Sequence, residues 1–349
     1  MVRVLLCLER HLTSEWEHCG GTEIASWRLM RLLREAGIPC ETISLNRNAP
    51  DEIAKPYSSW REIYEELRPN IIIASLGGIH YAVRIREELK RDGVRIPVGQ
   101  WLHGQGDYAF SAARKDFFIF NSRRQWFAGR WRCGFREGNN PMENIGTPQY
   151  IFHPPVIPED VIADNRHPSA ITMVNYSAFK GGDIFRRIIQ EAIRHPRIPR
   201  TFLAVQGGWD YGQTIDLAGL MRRGRYAVSI ETLPRQRDMR VVYAMTKILI
   251  HASQYESFGM VILEAMMNGI PVIGKSTDGF AEICLDDLDQ PAGYRVDTPG
   301  SPRAWLRAVE EVEADYEEWS SRAKARAQKF DPRKAIPGLI EFLSGVALS

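Results

Sequence analysis

The chain has 349 residues, 44% of them hydrophobic and 25% charged, with 45 Lys and Arg against 43 Asp and Glu. A formal charge of +2 sets up no field that demands nucleic acid or a membrane surface. The length exceeds what one hydrophobic core normally spans, so two domains are expected. Five dispersed cysteines (Cys7, Cys19, Cys40, Cys133 and Cys284) form no C-x-x-C pair. That pattern argues against a disulfide framework and for reduced thiols in the cytoplasm. The apolar run at residues 2–8 is broken by Glu9-Arg10, too short for a signal peptide, and no stretch approaches the ~20 apolar residues that span a bilayer. Membrane contact, if any, is expected to be peripheral at the inner face.

In chain order, VRVLLCL (2–8) reads as a strand and residues 22–37 as a helix with apolar Ile24, Trp27, Leu29, Met30 and Leu33 ending at Gly37. CETISL (40–45) is a second strand. Helix 58–69, strand 70–76, helix 81–93 and strand 96–104 follow, and DFFIFNS (116–122) is a further buried strand. Residues 156–169, rich in proline and charge, read as a hinge. The alternation restarts with AITMVNYS (170–177), helix 182–195, and strands 200–208 and 226–232. A short helix near 241–246 and the strand KILIHAS (247–253) come next. Such alternation predicts parallel sheets covered by helices, hence two doubly wound domains facing across a cleft. From about Asp315 the chain is helical and charged.

Residues 251–283 carry the most chemical information. Glu256 and Glu264 are separated by seven residues, with Phe258-Gly259-Met260 between them. After Gly259, Met260, Val261, Leu263, Met266 and Met267 keep helical spacing until Asn268-Gly269 stops them. Glu256 therefore falls on a strand-to-helix loop and Glu264 more than a turn inside the helix. The amides of Phe258, Gly259 and Met260 then open a helix N-terminus, which suits phosphate. A sugar nucleotide matches this set: sugar hydroxyls on Glu256, diphosphate on the amides, ribose on Glu264. Two ordinary surface glutamates beside a capped helix would read similarly from E-x(7)-E alone; the preceding strand, Glu256-Ser257-Phe258-Gly259 and Asn268-Gly269-Ile270-Pro271-Val272 in order favour the site.

This order of residues resembles the family 4 glycosyltransferases, retaining enzymes with the GT-B fold. The resemblance covers nearly the whole chain, most strongly residues 170–283. It implies two Rossmann-like domains: residues 1–157 for the acceptor, residues 158–325 for the nucleotide sugar, and residues 326–349 as a helix returning to the first domain. It further implies that Glu256 contacts the donor sugar and Glu264 the ribose. His103, at a strand end, is expected to approach the donor sugar; its bland alternative is a histidine buried against Trp101. Gly20-Gly21-Thr22-Glu23 is expected to flank donor phosphate and acceptor, and the loop 9–19 before it to help bind acceptor.

Lys180 is expected to place a fixed charge on the diphosphate. Many members carry an arginine about five residues earlier, where this chain has Asn175. The loop 231–239, with Leu233, is expected to border the nucleobase, and Gln206-Gly207-Gly208 to line the same cleft. The expected donor-site set is thus Gly20, Gly21, Asn175, Lys180, Leu233, Ser257, Phe258, Gly259, Met260 and Glu264, with Glu256, His103 and Lys180 closest to the chemistry.

No cofactor and no metal are expected. His11, His18, His80 and His251 lack metal-ligand spacing, and Asp287-Leu288-Asp289 reads as a solvated loop. Residues 114–136 interleave Arg114, Lys115, Arg123, Arg124, Arg130, Arg132 and Arg136 with Trp126, Phe127, Trp131 and Phe135. Arginine stems packed on aromatic rings is the favoured reading. An anionic acceptor or a phospholipid surface is the alternative; nucleic acid is not required. The expected activity is metal-independent transfer, with retention, from a nucleoside-diphosphate sugar (UDP- first, then GDP- or ADP-) to a hydroxyl-bearing acceptor. Two rivals stand beside it: another GT-B enzyme, such as an epimerase or glycan phosphorylase, and a degenerate binding or scaffold subunit.

Overall fold

The computed structural model describes residues 1–9, 20–44, 59–104, 115–132, 147–195, 200–207, 215–221, 228–286 and 289–349, with backbone alone at 128–132 and 221. The chain forms two compact units, Met1–Pro155 with Asp331–Ser349, and Val156–Phe330.

The first unit is built on β1 (Val4–Leu8), α1 (Gly21–Glu35), β2 (Cys40–Ser44), α2 (Trp60–Leu67), β3 (Ile71–Ser75), α3 (Gly78–Arg91), β4 (Val98–Leu102), β5 (Phe117–Phe120), α4 (Arg123–Arg132) and β6 (Gln149–Ile151). Its six strands lie in the order β2-β1-β3-β4-β5-β6, all parallel, with Leu5 beside Ile72 and Trp101 beside Ile119. The strands are near-continuous apolar runs because helices cover both faces of a parallel sheet. One face buries Leu5, Cys7, Ile72, Ala74 and Val98 against Ile63 of α2 and Ile79, Ala82 and Ile85 of α3. Strand β6 was not expected from sequence; three residues are too few to show a period.

The second unit contains β7 (Ala170–Val174), α5 (Gly182–Arg194), β8 (Arg200–Val205), β9 (Val228–Leu233), α6 (Arg240–Met245), β10 (Thr246–His251), α7 (Met260–Met267), β11 (Val272–Gly274), α8 (Asp278–Cys284), β12 (Tyr294–Arg295), α9 (Pro302–Ala314) and α10 (Tyr316–Ala327), with short helical turns at Pro158–Val161 and Ala218–Met221. Its strand order is β12-β11-β10-β7-β8-β9, again all parallel. Strand alternation divides the core. Ile248 and Ile250 of β10 pack with Phe185 and Ile188 of α5 and Trp305 and Val309 of α9. Leu249, between them, packs with Ile262, Leu263 and Met266 of α7. Val156 and Val161, inside the stretch expected as a hinge, are buried in this same second core.

A last helix, α11 (Pro332–Leu348), belongs to the first unit. Phe342 sets its ring 5.8 Å from Phe117 and 5.1 Å from Tyr150, and Arg333 reaches Glu35 at 3.4 Å. Among the described residues no helix is long and apolar enough to cross a membrane.

Candidate functional site

In a doubly wound sheet, ligand crevices form outside the carboxyl ends of the strands where the order reverses. In the second unit that reversal lies between β7 and β10, which are hydrogen-bonded neighbours although 76 residues separate the groups that follow them. Lys180 follows β7 and Glu256 follows β10. Lys180 Nζ donates to Glu256 Oε2 at 2.7 Å, and His251, the last residue of β10, brings Nε2 to 3.6 Å from the same oxygen. Burial pushes the Glu256 carboxyl up, but the Lys180 charge and then His251 outweigh it and hold the pKa at about 2. Glu256 is therefore an anion at any ordinary pH.

The loops are held by close backbone contacts that only glycine permits. Gly181 adopts φ +88 and passes so near Ala252 that a Cβ would sit 2.3 Å from its carbonyl oxygen. This ties the Lys180 loop to the Glu256 loop. Gly279 of α8 donates its N–H to the Glu256 carbonyl at 2.8 Å, and a Cβ there would lie 2.0 Å from the Phe258 carbonyl oxygen. Gly259, at φ +95, caps α7 in the left-handed conformation that glycine adopts without penalty. The Phe258 ring points away into the core, edge-on to Phe330 at 5.9 Å, and Ser257 is buried. Phe258, Gly259 and Met260 therefore present backbone at the start of α7, whose first amides have no acceptor within the helix.

Glu264 is buried one turn down α7 and accepts a hydrogen bond from Tyr243 Oη at 2.7 Å. Sequence spacing placed Glu264 but gave no sign of Tyr243, which comes from α6. Asn175, where the resemblance expects arginine about five residues before Lys180, sits at φ 60. Asparagine tolerates that conformation better than a long side chain does. Its carboxamide packs on Gly207, where a Cβ would lie 2.3 Å from the amide carbon, and its Oδ1 accepts from the Ser177 amide at 3.4 Å. Asn175 thus serves the β7 and β8 loop ends as a shape element. Leu233 ends β9, and its carbonyl accepts the Gln206 N–H at 3.0 Å.

In the first unit, His103 follows β4. Its ring lies 4.5 Å from that of Trp101, Ser75 Oγ is 3.4 Å from Nε2, and Asn121 Nδ2 is 3.4 Å from Nδ1. With the asparagine nitrogen as donor, Nδ1 accepts and the ring proton resides on Nε2, facing Ser75. Burial lowers its pKa to about 3, so the ring is neutral. Gly20 caps α1, and its N–H donates to Glu23 Oε2 at 2.8 Å. The motif read as an anion-facing turn thus already carries a carboxylate on its first amide. Gly21 is the first residue of α1.

Residues 10–19, with His11 and His18, lie outside the described residues, as do Gly208, Arg114, residues 133–136 and Asp287-Leu288. In the basic stretch, Lys115 is buried with its ammonium 5.5 Å from the Phe118 ring, Trp126 Nε1 donates to Gln149, and Phe127 is half-exposed. Asp116 is engaged with Arg86 at 3.3 Å and the Val98 amide at 2.8 Å. Among the described residues, no three His, Cys, Asp or Glu side chains gather as a metal site.

Comparison with known proteins gives the fold and a family match over part of the chain. Residues 193–330 match the family described as glycosyl transferases group 1. No curated relative matches by sequence. Among solved structures, the chain is similar to a sucrose-phosphate synthase from Thermosynechococcus elongatus at 14% identity and TM-score 0.69, covering 99% of this chain and 100% of that one. Anabaena HepE, in a structure with UDP-glucose, is similar at 18% identity and TM-score 0.67 with the same coverage. A glycosyltransferase from Rickettsia africae is similar at 12% identity and TM-score 0.68, covering 99% and 98%. Those identities speak to fold alone: the chain has the GT-B fold, and the stretch that matches the group 1 glycosyl transferase family, residues 193–330, spans the loops that carry Glu256 and Glu264.

Proposed function

We propose that this chain is a glycosyltransferase that moves a sugar from a nucleoside diphosphate to a hydroxyl-bearing acceptor, with retention at the anomeric carbon and without a metal. The observation that carries the reading is the Lys180–Glu256 pair at 2.7 Å, set where the strand order reverses and beside the N-terminus of α7. A cation and a helix start suit a diphosphate, and a neighbouring carboxylate suits sugar hydroxyls. In this reading Glu256 binds the donor sugar, and Lys180 with the backbone of Ser257, Phe258, Gly259 and Met260 binds the diphosphate. Glu264, steadied by Tyr243, binds the ribose, and Leu233 borders the base. Asn175 supports the Lys180 loop.

The first unit, with His103, Gly20 and Gly21, is assigned to the acceptor and the sugar end of the donor on the strength of the resemblance. As the bond from the anomeric carbon to the phosphate oxygen breaks, Lys180 and the α7 amides meet the charge that builds on the leaving diphosphate. The acceptor oxygen bonds to the same face of that carbon, and its proton passes to the departing phosphate oxygen. UDP is the first base to test, since three Anabaena HepE structures are complexes with UDP, with UDP and glucose, and with UDP-glucose. The test is a thermal-shift series with UDP-, GDP- and ADP-sugars in the presence of chelator, on wild type and Lys180→Met. One donor stabilising wild type well above the variant supports the reading. No stabilisation by any of them sinks it.

A further inference from the structure

Three side chains from two loop regions of the second unit meet at one oxygen. Glu256 Oε2 has Lys180 Nζ at 2.7 Å and His251 Nε2 at 3.6 Å. Lys180 is the most accessible of the three, its side chain 29% exposed, against 18% for Glu256 and 10% for His251. An anion arriving from solvent therefore meets the ammonium first. A diphosphate that takes Lys180 deprives Glu256 of its nearest cation, and a shielded carboxylate left without a partner carries its full desolvation penalty.

His251 is the neighbour able to hold it. Its Nε2 stands about half an ångström beyond hydrogen-bonding distance, so a small ring rotation closes the contact. Its Nδ1 is buried with no hydrogen-bond partner among the described residues, so no second bond opposes that rotation. The backbone of His251 is meanwhile fixed in the sheet, paired with Gly274 of β11. A ring anchored by its strand, free of a second bond and placed behind the carboxylate is suited to receive it.

We propose that His251 is a positioning residue of the donor site, taking over Glu256 when the diphosphate draws Lys180 away. It acts through Glu256, keeping that carboxylate charged and in place for the sugar. The inference rests on the donor reading given above. A purely packing role for His251 predicts something different: its replacement would disturb the site whether or not residue 256 is charged.

A double-mutant cycle on diphosphate binding separates these. Titration calorimetry with UDP, GDP and ADP is run on wild type, His251→Phe, His251→Gln, Glu256→Gln and the double variant His251→Phe with Glu256→Gln. Phenylalanine has no donor, whereas the glutamine amide nitrogen reaches about where Nε2 stands. His251→Phe is expected to weaken the bound diphosphate by about tenfold or more, the scale of one lost charged hydrogen bond. His251→Gln is expected to recover most of that loss. In the Glu256→Gln background, His251→Phe is expected to change affinity by less than about twofold, since no carboxylate remains to be stranded. Should His251→Phe not fold, His251→Asn, whose amide reaches only to the Nδ1 position, serves as the loss variant. An equal loss in both backgrounds, or no loss in either, overturns the inference while leaving the donor site standing. Wild type binding none of the three diphosphates removes the donor reading itself.

Discussion

Replacing Glu256 by glutamine is expected to have two effects of opposite sign. The pair with Lys180 is 2.7 Å long and both side chains are mostly shielded. On the proposed reading a diphosphate displaces Lys180 from Glu256, and in this setting that displacement costs about 1–2 kcal/mol, between an exposed ion pair and a shielded charged hydrogen bond. Glutamine offers Lys180 no charge. A bare nucleoside diphosphate is therefore expected to bind Glu256→Gln about 5- to 30-fold more tightly than wild type. Transfer of the sugar is expected to fall by at least about 100-fold, because on the proposed reading the carboxylate that holds the sugar is gone. Titration calorimetry with the diphosphate and a turnover assay with the matching nucleotide sugar, on one folded preparation, read both. Unchanged or weaker diphosphate binding would refute the competition argued here, and retained turnover would refute the role of Glu256.

Four further outcomes follow from the geometry. The Glu256 carboxyl is held at about 2 rather than the ordinary 4.5, so its pairing stabilises the fold fully above about pH 4.5 and ceases to as the pH falls towards about 2. The lowered value corresponds to about 3 kcal/mol; in acid titrations followed by tryptophan fluorescence, the stability gap between wild type and Glu256→Gln is expected to close across that window, and a pH-independent gap would contradict it. Gly279→Ala forces a Cβ against the Phe258 carbonyl, so it is expected to lower the melting temperature, by an amount matching about 1–3 kcal/mol, and to remove donor binding; full donor binding would show that the loop is held otherwise. Tyr243→Phe takes the hydroxyl from buried Glu264 and is expected to cost about 1–3 kcal/mol. Glu264→Gln is expected to reduce the preference for a ribose diphosphate over its 2′,3′-dideoxy counterpart, and an unaltered preference in competition binding would place the ribose elsewhere.

Much of the architecture was legible because it rests on local patterns. The apolar runs and helical spacings that alternate through the chain became two six-stranded parallel sheets. Gly259 before Met260 and Asn268-Gly269 after Met267 marked both ends of α7. What stayed hidden depends on side chains brought together from afar. Nothing near Lys180 announces that it faces Glu256. Tyr243 reaches Glu264 across 21 residues of sequence. His251 was weighed only as a metal ligand and dismissed on spacing, although a histidine closing a parallel strand five residues before the motif glutamate is itself a signal. Glu23 is the reverse case: its place three residues after Gly20 fits a helix-capping carboxylate, and the glycines drew attention away from it.

The central claim is metal-independent transfer from a nucleotide sugar, with the donor held at Lys180 and Glu256. The most direct measurement is proton NMR of the purified chain with its stabilising nucleotide sugar and a simple hydroxylic acceptor in excess chelator, alongside Lys180→Met. The account predicts release of nucleoside diphosphate, a product with the donor's anomeric configuration, and a rate about 100-fold or more lower in the variant. An inverted product, transfer that stops on chelation, or a variant as fast as wild type would contradict it.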